Sequence, residues 1–186
     1  MSTNTMLRAI AMPRGQRLTA VKVVGFAVAL ALAAQIAIPL PGTPVPFTLQ
    51  PLVVVLAGFW LGPVAAVASM TTYLLAGAVG LPVWAPLGAP GVARLVGPTG
   101  GYLLAYPLAA WVASVLVRRA GSVGGRIAAA IAAMAVIYAG GLAQLAVLTG
   151  SVTVAALLGA APFAGLDLVK CVIAAILAPK RLSEAR

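Results

Sequence analysis

The sequence predicts an all-α polytopic membrane protein: six transmembrane helices, with the N- and C-termini both cytoplasmic. Three observations carry this reading. Hydrophobic residues make up 63% of the 186-residue chain and charged residues only 8%, where a soluble domain has about a quarter charged. The mean hydropathy of +1.13 is more apolar than a water-soluble core can hide, so lipid is the natural solvent. The basic residues behind the net charge of +10 fall in short clusters between apolar runs, the pattern of cytoplasmic loops that face anionic lipid.

The chain divides into a basic cytoplasmic N-terminus (1–22), a transmembrane substrate-binding domain (23–179) and a basic cytoplasmic tail (180–186). The first apolar run is "VVGFAVALALAAQIAIPL", residues 23–40. A basic start followed by an apolar stretch also suits a secretory signal. This run is longer than a usual signal core and leads into a proline-rich loop, so a retained span is expected. In "PGTPVPFTLQ" (41–50), Pro41, Pro44 and Pro46 forbid a helix and predict a rigid connector. The second run, 51–62, is short. It spans only by starting within the connector or by thinning the bilayer. Gly62-Pro63 makes a tight joint to the third run, which predicts antiparallel neighbours. Residues 82–101, rich in proline and glycine and carrying Arg94, form the longest irregular stretch. A fourth span runs from Tyr102 to Arg118-Arg119, and a fifth from Ile127 to Gly150. Residues 151–163, interrupted by Pro162, are expected to be a re-entrant or surface piece. The sixth span starts near Phe163 and ends before Pro179; its ~17 residues at about 1.5 Å each just cross the hydrocarbon.

With the N-terminus inside, the cytoplasmic face collects Arg8, Arg14, Arg17, Lys22, Arg118, Arg119, Arg126, Lys180, Arg181 and Arg186. The outer face collects Arg94, and Lys170 lies in the sixth span. This asymmetry sets the orientation. It also explains the basic balance without nucleic acid, for which the sequence shows no basic-aromatic surface.

Asp167 is one of two acidic residues in the chain, and Lys170 follows it three positions later. That spacing puts both on roughly one helix face, and an acid near a helix N-terminus is favoured by the exposed N–H groups. A lone ionised group in mid-membrane costs about 2.5–3.5 kcal/mol. A self-neutralising pair would make the helix cheaper to insert, but an apolar residue would insert better still, which favours a ligand site. Arg94 in the third loop, and Thr48 and Gln50 in the first, lie at the same outer level. Tyr73, Trp84 and Tyr102 are candidates for the wall of a cavity there or for an interfacial aromatic belt.

With no histidine and one carboxylate at the site, hydrolytic or metal chemistry is not expected, nor is any catalytic residue or bound cofactor. No G-x-x-x-x-G-K-[ST] motif occurs, so ATP hydrolysis would fall to other subunits. The single cysteine, Cys171, reads as a small packing residue. On the first span, Ala27 and Ala31, and Ala29 and Ala33, are spaced four apart. Such small-residue pairs allow close helix approach and mark either a partner surface or internal packing.

Four motifs in order, "PGTPVPFTLQPLVVVLAG", "YLLAGAVGLPVW", "LVGPTGGYLLAYPLAA" and "PFAGLDLVK", resemble the BioY family, the biotin-binding S components of energy-coupling-factor (ECF) transporters. The resemblance covers about residues 20–180. It implies a six-helix S-component fold in the cell membrane (the bacterial cytoplasmic membrane) and biotin capture at the outer face. It also implies a transmembrane coupling protein and two ATPase subunits as partners, against which the loaded bundle would topple to deliver biotin inward. The matching site positions are Thr48, Gln50, Tyr73, Arg94, Asp167 and Lys170, and the alanine face of the first span would dock the coupling protein. One departure is "APLGAPG" after "GLPVW", where a more glycine-rich or amide-bearing segment is expected. The alternatives are an S component for another small vitamin, or a solitary oligomeric biotin carrier.

Overall fold

The computed structural model describes residues 14–179, so Arg8, Lys180, Arg181, Arg186 and most of both terminal tails lie outside the described residues. In chain order it contains α1 (Arg14–Gln35), β1 (Ala37–Ile38), β2 (Phe47–Thr48), α2 (Gln50–Trp60), α3 (Pro63–Ala78), α4 (Ala93–Val96), α5 (Gly100–Val117), α6 (Val123–Thr149), α7 (Val152–Gly159) and α8 (Ala164–Ile176).

Helices α1, α5 and α6 are each long and apolar enough to cross a membrane alone. Helices α2 and α3, with 11 and 16 residues, reach only about 16 and 24 Å at 1.5 Å per residue, short of the ~30 Å hydrocarbon core. Each begins with a proline in its first turn, where no N–H is needed. The Gly62-Pro63 joint between them is as tight as expected. The bent pair α7–α8 turns through 57°, the geometry of a broken span or of a re-entrant piece leading into α8. Ser122 and Ser151 cap α6 and α7 by accepting from Gly125 N and Val154 N, satisfying orphan donors of the first turn.

Two boundaries differ from the sequence reading. The first helix covers residues 14–35 rather than 23–40. Its basic first turns are helical, since long cationic side chains can reach the interface from within a span. It stops early because Ala37 and Ile38 pair with Thr48 and Phe47 in a two-residue antiparallel ladder. The prolines do exclude helix from the connector, but its two ends meet and close it into a tight flap.

Helix α5 is the hub. It packs along α6, with α2 and α3 against it; α1 lies on α3 and α2, and α8 on α6 and α2. The α5–α6 contact depends on glycine: a Cβ at Gly101 would overlap the Gly140 carbonyl, and one at Gly141 would overlap the Tyr102 ring. This is why "GPTGGY" opens α5. The turns at 61–63 and 118–122 share one end of the bundle, with Gly62 beside the Arg118 guanidinium. The connector, residues 79–99 and α7 share the other end, where Thr43 Oγ1 donates to Leu158 O over 2.6 Å. The exposed basic residues Arg17, Lys22, Arg118 and Arg119 gather at the first end, and Arg94 and the Asp167–Lys170 pair at the second.

Candidate binding site

The outer end encloses a narrow cavity of about 60 Å³. Thr48 and Gln50 come from the connector, Tyr73 from α3, Trp84 and Arg94 from the long loop, and Tyr102 and Tyr106 from α5. Thr48, Gln50 and Tyr73 are bonded to one another, and Trp84, Arg94 and Tyr102 donate to backbone carbonyls. Thr48 Oγ1 lies 3.4 Å from Gln50 Oε1, and Gln50 Nε2 donates to the Tyr73 hydroxyl at 2.7 Å. Tyr73 donates onward to Val83 O at 3.2 Å, linking the connector to the long loop. Trp84 stands edge-on to Tyr73 with centroids 5.1 Å apart, and its ring occupies the space a Cβ at Gly77 would need.

Arg94 is buried at 6% exposure. Its two terminal nitrogens donate to Leu87 O and Ala85 O, curling the loop around the guanidinium. Nε has no acceptor, and no carboxylate pairs with the group among the described residues. A buried cation without an anion is costly to maintain. Here it stands in a cavity wall.

Asp167 and Lys170 lie on the buried face of α8 with Phe163, Cys171 and Ala174. The i, i+3 spacing does bring them together: Nζ to Oδ1 is 2.6 Å. Lys170 Nζ also donates to Thr48 O at 2.7 Å and sits 4.0 Å from the Phe47 ring centroid. The pair therefore stands behind the connector. The cavity is lined by Thr48, Gln50, Tyr73 and Arg94, while Asp167 lines a separate cleft between α6 and α8. The two groups join through Thr48. Lys170 uses two of its three N–H donors, and each Asp167 oxygen has one partner, so donor and acceptor capacity remain.

Residues outside the sequence-based set also shape the site. Tyr138 donates to Asp167 Oδ2 at 2.5 Å. Gln144 anchors the end of the long loop through Leu95 O and Gly97 O at 3.0 and 2.6 Å, and Gln35 holds Trp84 O at 3.1 Å. One signal for Tyr138 and Gln144 was present: they are two of the few hydrogen-bonding side chains in the fifth span. The alanine pairs of α1 do not form one free face. Ala27 and Ala33 are buried in this chain's own bundle, Ala31 packs on its core and Ala29 is half-buried. The lipid-side stripe of α1 is instead Val21, Val24, Val28 and Leu32. Among the described residues, no three His, Cys, Asp or Glu side chains converge on a metal site.

The BioY family model matches residues 6–185. The chain belongs to the BioY family. A relative described as "Biotin transporter BioY" from Thermotoga maritima is 39% identical over 82% of this chain and 89% of its own length. A "Probable biotin transporter BioY" from Pyrococcus horikoshii is 39% identical over 74% and 80%. Among solved structures, the S-component for biotin from an ECF-type ABC transporter superposes with a TM-score of 0.82 at 21% identity, covering 95% of this chain and 96% of that one. The fold is therefore that of an S component, and this member of the BioY family is a multi-pass protein of the cell membrane.

Proposed function

We propose that this chain is the biotin-binding subunit of a vitamin uptake transporter. It captures biotin at the outer face and delivers it inward in concert with a transmembrane coupling protein and two ATPase subunits. The names of its relatives support the ligand, and the observation that carries the site is Arg94: a buried guanidinium in a cavity wall with no acid to neutralise it among the described residues. A valerate carboxylate supplies the missing charge through a charge-assisted bond, about twice as strong as a neutral one. The Asp167–Lys170 pair is neutral overall and suits the neutral ureido ring. Asp167 accepts from a ureido N–H, and the spare Lys170 donor reaches the ureido carbonyl. Aromatic walls from Tyr73, Trp84 and Tyr102 receive the fused ring.

The present cavity is far smaller than the ~300 Å³ at the lower end of ligand sites. Loading therefore requires the connector to move away from α8 and the long loop. Both lie at one end of the bundle and are held there largely by side-chain bonds that can exchange for bonds to a ligand. Energy supply by partner ATPases is supported by the sequence, which carries no G-x-x-x-x-G-K-[ST] motif.

Equilibrium binding of radiolabelled vitamins to the purified chain tests the reading. Biotin should bind saturably, and thiamine and riboflavin should not. Asp167→Asn and Lys170→Ala should each weaken biotin tenfold or more, about 1.4 kcal/mol. Near-wild-type affinity in both variants removes the assignment of the pair, and preference for another vitamin removes biotin. Copurification with a coupling protein and ATPases tests the assembly.

A further inference from the structure

We propose that Tyr138 is a positioning residue of the ligand site. Its hydroxyl pins one oxygen of Asp167, so that the carboxylate presents a fixed edge to the ureido ring. The inference rests on the biotin reading above. Tyr138 lies on α6, Asp167 and Lys170 on α8, and Thr48 in the connector. One chain of hydrogen bonds runs through them: Tyr138 Oη to Asp167 Oδ2 at 2.5 Å, Lys170 Nζ to Asp167 Oδ1 at 2.6 Å, and Lys170 Nζ to Thr48 O at 2.7 Å. Both carboxylate oxygens are thus held, which fixes the plane of the group. Tyr73 and Tyr102 give their hydroxyls to the backbone carbonyls of Val83 and Gly159; Tyr138 gives its own to the acid.

The surroundings make that bond consequential. Beyond Tyr138 lies a cleft of about 210 Å³, lined by Met134, Ala135, Leu168 and Cys171 and facing the apolar flank between α6 and α8. Tyr138 is half-buried there and supplies the polar contact of Oδ2 on that side. Without its hydroxyl, Oδ2 turns toward a wall that cannot hydrogen-bond. The carboxylate then loses its orientation, while Lys170 still anchors Oδ1. Recognition of the ureido N–H suffers, and recognition of the valerate end, which belongs to Arg94, does not.

The test uses the purified full-length chain in lipid nanodiscs and three ligands: biotin, biotinol (carboxylate replaced by an alcohol) and biotin methylated on both ureido nitrogens (no N–H left for Asp167). Tyr138→Phe should weaken biotin and biotinol alike, by about tenfold, and weaken the N-methylated ligand much less, so that the preference for the free ureido N–H falls. Tyr138→His, which keeps a donor, should retain that preference. On an Asp167→Asn background, Tyr138→Phe should add almost nothing. Equal weakening of all three ligands, or full additivity with Asp167→Asn, overturns the inference and leaves Tyr138 a packing residue. Should Tyr138→Phe fail to fold, Tyr138→His against Tyr138→Leu carries the same comparison of donor with no donor. A wild-type chain that does not bind biotin overturns the biotin reading itself, before any variant is made.

Discussion

The two ends of the bundle are built from different materials. At the outer end, buried polar and aromatic side chains (Thr48, Gln50, Tyr73, Arg94, Asp167, Lys170), with the half-buried Tyr138, bond across four helices and two loops. At the inner end the core is largely alanine: Ala57, Ala109, Ala113, Ala130, Ala133, Ala174 and Ala175 are buried. Polar contacts there are isolated, such as Ser114 Oγ to Leu61 O at 2.9 Å and Trp60 Nε1 to Leu177 O at 3.1 Å. Lipid gives little hydrophobic drive for helix association, so the inner half holds by close van der Waals approach of small residues. The outer half adds directional bonds that specify one arrangement, and it carries the cost of keeping every buried polar group satisfied. Substitutions in the outer half should therefore move ligand affinity and stability together, and those in the inner half stability alone.

The strongest way to break this division is Lys170→Ala. It leaves the Asp167 carboxylate buried with only Tyr138 as partner and removes the bond to Thr48 O. Removing one member of a buried ion pair costs about 3–5 kcal/mol. Thermal unfolding in detergent should show that loss, and Asp167→Asn combined with Lys170→Ala should recover part of it. A Lys170→Ala protein as stable as the parent would mean that the pair is solvated and that the outer network is not a buried one.

The next comparison sets two close approaches against each other. A methyl at Gly101 meets the Gly140 backbone at the outer α5–α6 contact; a methyl at Gly58 meets Ala113 and the Ala110 carbonyl at the inner α2–α5 contact. Each Gly→Ala change should cost about 1–3 kcal/mol by overpacking. Gly101→Ala should also reduce biotin affinity, because it displaces the helix that carries Tyr102 and Tyr106 into the cavity wall. Gly58→Ala should leave affinity unchanged. Equal effects of both on binding would erase the distinction between the ends.

The same contrast explains what the sequence made legible. Polar residues in an apolar chain are informative, so the sidedness of the loops placed Thr48, Gln50 and Arg94 at one level, the family motifs added Tyr73, and the structure brings all four to one cavity. The face of α8 was readable because Asp167 and Lys170 mark it. The face of α1 was not. Its core and its lipid-facing side are both aliphatic, and nothing in the residue types shows that Ala27 and Ala33 turn inward while Val24 and Val28 turn outward. The separation of Asp167 from the cavity was hidden for a related reason. It depends on how Tyr138 and Phe47 fill the space on either side of α8, which is set by helix rotation rather than by spacing. The early end of α1 required knowing that residues 37–38 pair across the connector, a contact between two dipeptides too short to leave a pattern.

A finer probe is Tyr73→Phe. The hydroxyl accepts from Gln50 and donates to Val83 O, so its loss unlinks the connector from the long loop and leaves a buried amide N–H short of an acceptor. Leaving a buried donor unsatisfied costs about 1–3 kcal/mol. Stability should fall by about that amount, and biotin affinity should fall severalfold. If affinity is unchanged, the two loops move independently and Tyr73 serves only as a wall for Trp84.

The smallest expected effect lies at the other end, and it sharpens the comparison because so little is at stake there. Ser114 is fully buried in α5 and donates to Leu61 O, the carbonyl just past the end of α2. Ser114→Ala removes that bond but also removes the hydroxyl that needed it, in a setting of alanines where a methyl packs equally well. Losing both the group and its contact is milder than stranding a buried donor, and the Leu61 carbonyl at a helix end retains other routes to satisfaction. Stability should therefore change by less than about 1 kcal/mol, and biotin affinity should match the parent within error in the same assay that detects Tyr73→Phe. A clear loss of affinity from Ser114→Ala would show that the alanine-packed end transmits its small rearrangements to the outer cavity, and the two halves would have to be treated as one cooperative unit.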